Sequence, residues 1–200
     1  MGYDSVMNFE DGSHLKSSSS FENSLNKEIE TSCITDTLVR CGCEVVTASV
    51  MPGGLQVTMS RGLQVVANCA IEDCKGQDWD AIALPGGMPG AEHLRDSAVL
   101  VELLKEQASK GKISAAVCAS PAVVFGTHGL LPEKATCYPN PKFKEIVGEK
   151  WQDARAVMDG QVVTSQGPGT SIHFALKIAE PLCGKDKVLE VAQAMLVDYA

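Results

Sequence analysis

The 200-residue chain lacks an excess of positive charge: 17 Lys and Arg stand against 25 Asp and Glu, a formal net charge of -8. Nucleic-acid binding runs on Lys and Arg displacing condensed counterions, so this balance excludes a nucleic-acid partner, and it equally disfavours an anionic membrane surface. Long apolar runs are missing too. The longest are under ten residues, where a membrane-spanning helix needs about 20. No apolar signal segment opens the chain, and no repeat or heptad pattern recurs. The eight cysteines fall in no disulfide-framework spacing, and the nearest pairs, Cys41-x-Cys43 and Cys69-x4-Cys74, do not make the C-x-x-C that structural zinc favours. Reduced thiols in a cytoplasmic protein are the expectation, most of them small core hydrophobes. The glycine-rich nucleotide fingerprints and the G-x-S-x-G serine elbow are also absent.

What is present begins after residue 24. Residues 1–24 carry a serine run and scattered charge without period, which predicts an unstructured tail. From residue 25 to residue 200 the pattern is that of one domain. Ile29, Cys33, Leu38 and Cys41 recur at near-helical spacing, with Asn26 as N-cap and Gly42 as stop. Glu44–Val50 reads as a strand, and Leu55–Met59 with Leu63–Val66 as a hairpin. Asp80–Leu84 and Ile113–Val117 are short buried-type strands on either side of an amphipathic helix, Ser97–Lys110. A short helix at Pro121–Thr127, a strand around Lys134–Tyr138, a hairpin turned at Asp159-Gly160 and two closing helices complete the reading. Apolar strands alternating with amphipathic helices mean an α/β fold with a parallel sheet covered on both faces.

In such sheets ligands gather at the carboxyl ends of strands. Three loops there carry unusual chemistry: Pro85-Gly86-Gly87-Met88-Pro89-Gly90, Val117-Cys118-Ala119-Ser120-Pro121 and Ser165-Gln166-Gly167-Pro168-Gly169-Thr170. In the second, a strand runs into one cysteine and then into a proline-started helix, a strand–nucleophile–helix elbow. A thiol at a helix N-terminus is expected to have a lowered pKa; the alternative is an inert buried cysteine behind a core strand. The Gly86-Gly87 turn offers backbone N–H groups to a developing oxyanion, or is a plain turn. None of the four histidines sits in a motif with a mechanism.

Taken with Ala83–Ala91, Ala115–Ala122, Thr164–Thr170, Ala48-Ser49-Val50 and Ser60-Arg61-Gly62, these loops resemble the ThiJ/PfpI family, in its branch of parkinsonism-associated deglycases and YajL-like bacterial proteins. The resemblance runs from about Glu28 to Val197. It implies a flavodoxin-like sandwich, usually a homodimer, needing no cofactor and no metal, with Cys118 as the reactive cysteine. It carries Glu30 over as the family's partner carboxylic acid and the Gly87 and Ala119 N–H groups as the oxyanion pocket. Tyr138 falls where relatives have His or another aromatic, and Arg40 and Arg61 match basic residues near the dimer interface.

The implied activity is a glyoxalase or deglycase reaction on reactive dicarbonyls such as methylglyoxal, or on early glycation adducts, protecting against oxidative stress. Two alternatives stand beside it: a redox-sensing or chaperone-like protein working through Cys118 oxidation, and an inactive paralogue. The last arises because Ser17–Leu25 occupies the slot of the family's apolar first strand, which predicts a degenerate central strand. A glutamine amidotransferase would need a His-x-Glu pair where His173 is followed by Phe174-Ala175. A PfpI-type peptidase would need histidine where Ala119 stands.

Overall fold

Two four- to five-residue runs built of Ala, Ile, Leu, Ser and Val are buried at every position, which only a strand covered on both faces achieves. They are neighbours at the centre of a seven-stranded sheet in a computed structural model that describes residues 16–21, as backbone, and 27–199. In chain order the strands are β1 (Lys16–Phe21), β2 (Glu44–Ser49), β3 (Gln56–Thr58), β4 (Gln64–Val66), β5 (Cys69–Ala70), β6 (Ala81–Leu84), β7 (Ile113–Val117), β8 (Ala156–Asp159) and β9 (Val162–Ser165). The helices are α1 (Glu28–Arg40), α2 (Gly90–Asp96), α3 (Ala98–Lys110), α4 (Pro141–Val147), α5 (Ser171–Cys183) and α6 (Lys185–Ala194).

The main sheet runs β5-β2-β1-β6-β7-β9-β8, parallel except for β8, while β3 and β4 form a separate antiparallel hairpin. One face is closed by Ile34 and Leu38 of α1, Phe174 and Ile178 of α5 and Val188 of α6. The other is closed by Leu94 of α2, Leu100, Leu103 and Leu104 of α3, and Phe125. This is a three-layer sandwich of the expected class. Local signals place the ends: Ser97 Oγ accepts from the Leu100 N–H and caps α3, and Gly111 closes it at φ 64°.

Three expectations need correction. Residues 16–21, assigned to the tail, form β1 between β2 and β6, with Ser18 paired to Val46 on one side and Ile82 on the other. The parallel ladder is made by backbone groups, so serine does not prevent a strand whose two neighbours are already built. The rest of the expected tail, and the Asn26 cap, lie outside the described residues. Second, the Lys134–Tyr138 segment is not a strand. It makes one isolated bridge, Ala135 to Trp151, and its next N–H, on Thr136, donates to the Thr164 side chain at 2.9 Å instead of to a ladder carbonyl. Prolines at 132, 139 and 141 remove donors on both sides and keep it an extended crossing. Third, the Pro121–Thr127 helix is a π-helical turn over Pro121–Gly126. The short elements β5, α2 and α4 were not read from the sequence, although Asn140-Pro141 is a cap-and-proline start for α4.

Candidate active site

Cys118 follows β7 directly, at the carboxyl end of the sheet, with φ 65°. That left-handed conformation is unfavourable for a residue with a Cβ and persists only when the surroundings hold it. Here both backbone groups are clamped. The Cys118 N–H donates to the Ser165 carbonyl at 3.0 Å, and the Cys118 carbonyl accepts from the Tyr138 N–H at 2.8 Å. Ser120 Oγ donates to the Pro85 carbonyl at 2.6 Å, tying the elbow to the Gly86-Gly87 loop. The elbow expected from sequence is thus assembled from three strand ends, β6, β7 and β9.

Glu30 lies in the first turn of α1 and is fully buried. Its Oε2 accepts from the Gly86 N–H at 2.6 Å, and the Lys27 N–H donates to the Gly86 carbonyl at 3.0 Å, so this loop holds the start of α1 at two points. The second carboxyl oxygen, Oε1, has no conventional hydrogen-bond partner, and the group with which the carboxyl interacts is the Cys118 thiol. Burial raises the Glu30 pKa to about 7 against the Gly86 hydrogen bond, which lowers it. Burial and then the Glu30 charge push the Cys118 thiol up, while the Ala119 N–H hydrogen-bonded to the sulfur and the Lys27 charge pull it down.

The expectation of a simply lowered thiol pKa is therefore corrected. Burial of the sulfur, and then the carboxyl beside it, outweigh one short helical turn. A neutral Glu30 can donate to a thiolate, whereas an ionised Glu30 holds the thiol neutral.

The structure brings Cys118, Glu30 and Ala119 together. Tyr138 is half exposed and reaches the same place, since the pro-side-chain position of Gly167 is 3.3 Å from the Tyr138 ring and 3.9 Å from Cys118 Sγ. Gly87, at φ 110°, lies next along the loop and its carbonyl accepts from the Ala91 N–H at the start of α2. Sequence reasoning named the Gly86-Gly87 turn but carried only Gly87 into the site, and Gly86 is the more constrained of the two. A Cβ on Gly86 would stand 2.5 Å from Cys118 Cβ, 2.7 Å from the Val117 carbonyl oxygen and 2.9 Å from Ala119 N. Gly167 was read only as part of the Ser165–Thr170 loop and not as a site residue.

Arg40 and Arg61 are not in this site. Arg40 ends α1 in an exposed ion pair with Asp36 at 2.8 Å. Arg61 sits in the β3–β4 turn, where its N–H and the Ser60 hydroxyl both donate to the Glu28 carboxylate. The two arginines mark opposite ends of the 13-residue helix α1, about 18 Å apart along its axis. Among the described residues no cluster of three or more His, Cys, Asp or Glu could hold a metal ion, and no helix is long and apolar enough to cross a membrane.

This geometry has close counterparts. Residues 23–181 match the model of the DJ-1/PfpI family. The chain is 40% identical over 173 residues to Protein DJ-1 homolog B of Arabidopsis thaliana; the match takes in 86% of this chain and 39% of that longer protein. It is 40% identical over 164 residues to the glutathione-independent glyoxalase DJR-1.2 of Caenorhabditis elegans, spanning 80% of this chain and 85% of the relative. Among solved structures, oxidized Toxoplasma gondii DJ-1 superposes with a TM-score of 0.88 at 43% identity, covering 92% of this chain and all of the other. The strand–cysteine elbow, the buried acid on the first helix and these matches together make the chain a member of the DJ-1/PfpI family.

Proposed function

We propose that this protein is a cofactor-independent cysteine enzyme that converts reactive dicarbonyls such as methylglyoxal to 2-hydroxy acids, or removes their early adducts from proteins. The observation that carries the reading is the buried Glu30 carboxyl, fixed by the Gly86 N–H through Oε2 and interacting with the Cys118 thiol. The Cys118 thiolate adds to the aldehyde carbon, forming a C–S bond and a hemithioacetal whose oxygen takes up a proton. Glu30 removes the proton from that carbon and returns it to the neighbouring carbonyl carbon, while the hemithioacetal hydroxyl proton passes to the neighbouring carbonyl oxygen, which leaves a thioester of the hydroxy acid. Water then cleaves the C–S bond and restores the thiol. A carboxyl with a pKa of about 7 suits both halves of this transfer at neutral pH. The Gly87 and Ala119 N–H groups are the donors proposed for the oxyanion, and Tyr138 the wall of the pocket. The glyoxalase named among the relatives supports this assignment.

Replacement Cys118→Ala is expected to abolish methylglyoxal loss by the purified protein and Glu30→Gln to lower it by at least 100-fold. Unchanged turnover in Cys118→Ala would overturn the reading.

The same carboxyl–sulfur contact supports a second reading, in which Cys118 is oxidised to sulfinate and alters the protein's interactions; the T. gondii relative was solved in an oxidized form. Peroxide titration followed by intact mass separates the two, since a sensor takes up two oxygens at Cys118 without unfolding.

A homodimer fits the groove between α1 and the β3–β4 hairpin, lined by Val39, Leu63 and Val66, all exposed. Arg40 and Arg61 flank it. Eight free cysteines accord with a cytoplasmic setting.

A further inference from the structure

Away from Cys118, two other sulfurs approach each other closely. Cys43, just before β2, and Cys183, the last residue of α5, are 140 positions apart in sequence, yet their Sγ atoms are 3.5 Å apart. Both lie at the edge of the sheet where the parallel strands begin. Cys118 lies where they end, about 23 Å further along the strand direction.

The two thiols are not equivalent. Cys43 is buried, beside buried Cys41 and near the Asp80 carboxylate, which disfavours its ionisation. Cys183 is half exposed at the α5–α6 junction, with Lys187 in the first turn of α6 nearby. Either sulfur could donate in the pair, and the contact with Cys183 and then burial disfavour ionisation of Cys43. That hydrogen bond, and then the Lys187 charge, hold the Cys183 thiol below its ordinary range despite its partial burial. An accessible, ionisable thiol backed by a protonated one is the arrangement of an attacking cysteine with its resolving partner.

We propose that Cys43 and Cys183 form a second thiol site, separate from Cys118, at which a hydroperoxide oxidises Cys183 and Cys43 closes an intramolecular disulfide. In the first step the Cys183 sulfur attacks one peroxide oxygen and the O–O bond breaks. The sulfur becomes a sulfenic acid, and the departing oxygen leaves as water or alcohol after taking a proton. In the second, the Cys43 sulfur attacks the Cys183 sulfur, the S–O bond breaks, and the hydroxyl leaves as water with the Cys43 proton. Two thiols are oxidised by two electrons and one peroxide is reduced. The sulfurs have to close by about 1.5 Å to reach disulfide bonding distance, a side-chain adjustment at the end of a helix. The product staples the start of β2 to the α5–α6 junction and reverts with a dithiol reductant. A second close pair, Cys69 and Cys74, is a poorer candidate. Its sulfurs are 3.8 Å apart, and burial with nearby Asp73 and Glu72 raises the Cys74 pKa to about 12.

The test is to titrate the reduced full chain with hydrogen peroxide, block free thiols with N-ethylmaleimide in acid, and map peptides without reduction. A Cys43–Cys183 linked peptide, lighter by about 2 Da than the two reduced peptides, is expected within one chain. It should form at the same rate in Cys118→Ala, which separates this site from the one assigned to dicarbonyl chemistry. In Cys183→Ser, Cys43 should remain alkylatable at the same dose. In Cys43→Ser, dimedone should label Cys183 as sulfenic acid. The wild-type map decides the matter even if a variant folds poorly. Cys43 and Cys183 both alkylated while Cys118 carries added oxygen, or a link that runs to Cys41 or between two chains, would overturn the proposal.

Discussion

Replacing Gly86 with alanine places one methyl group where the structure leaves no room. The new Cβ would meet Cys118 Cβ at 2.5 Å, where carbon atoms prefer at least about 3.5 Å, so something has to move by about 1 Å. The atoms in the way are Cβ and backbone of the elbow, none of them the far end of a flexible side chain. Either Cys118 is pushed off its clamped position, or Gly86 retreats and takes with it the N–H that fixes Glu30. Each result separates sulfur from carboxyl. A displacement of about 1 Å in a catalytic constellation costs about 100-fold in rate, which is about 2.7 kcal/mol of transition-state stabilisation. Overpacking adds about 1–3 kcal/mol of lost stability.

The assay is kcat/KM for methylglyoxal loss, paired with the rate of Cys118 alkylation by iodoacetamide, which needs no substrate to fit. Thermal denaturation establishes that the variant is folded. Gly169→Ala is the comparison: it lies in a loop at the same end of the sheet, and its Cβ meets nothing within 4 Å. It should keep activity within about twofold and change stability by well under 1 kcal/mol. A folded Gly86→Ala protein with unchanged kcat/KM and unchanged alkylation would show that the Glu30–Gly86–Cys118 contact does not organise the chemistry.

The Glu30 carboxyl also imposes a pH dependence on stability. Its pKa is raised on folding from 4.5 to about 7, so between those values the folded state holds a proton that the unfolded state has released. Its contribution is complete below pH 4.5 and is lost as the pH rises to about 7, a drift of about 3 kcal/mol. Glu30→Gln should remove that drift; urea midpoints of both proteins across pH 4.5–8 measure it, and parallel curves would refute the burial argument. Ser120→Ala leaves the Pro85 carbonyl without its 2.6 Å donor inside the protein. A loss of about 1–3 kcal/mol in chemical denaturation is expected, with a slower Cys118 alkylation because the two loops are no longer tied.

The sequence by itself determined the class of fold and the position of the nucleophile. Short runs of small and apolar residues such as Ala81–Leu84 and Ile113–Val117 are read as strands covered by helices on both faces, and that setting puts Cys118 at a strand's carboxyl end. The hairpins and the span of α3 were legible for the same local reason: turn chemistry and helical period are written in neighbouring residues. Three features were not local, and only the tertiary structure decided them. The serine-rich Lys16–Phe21 pairs as a strand because β2 and β6 stand ready on either side, a property of its neighbours and not of its own side chains. Lys134–Tyr138 has strand composition, but the groups it meets are a threonine hydroxyl and the Cys118 carbonyl, so it crosses the end of the sheet. The ionisation of Cys118 depends on its own burial and then on Glu30, 88 positions earlier in the chain, whose charge pushes the thiol up. Periodicity records which face of an element is covered; it does not record which polar group waits on the other side.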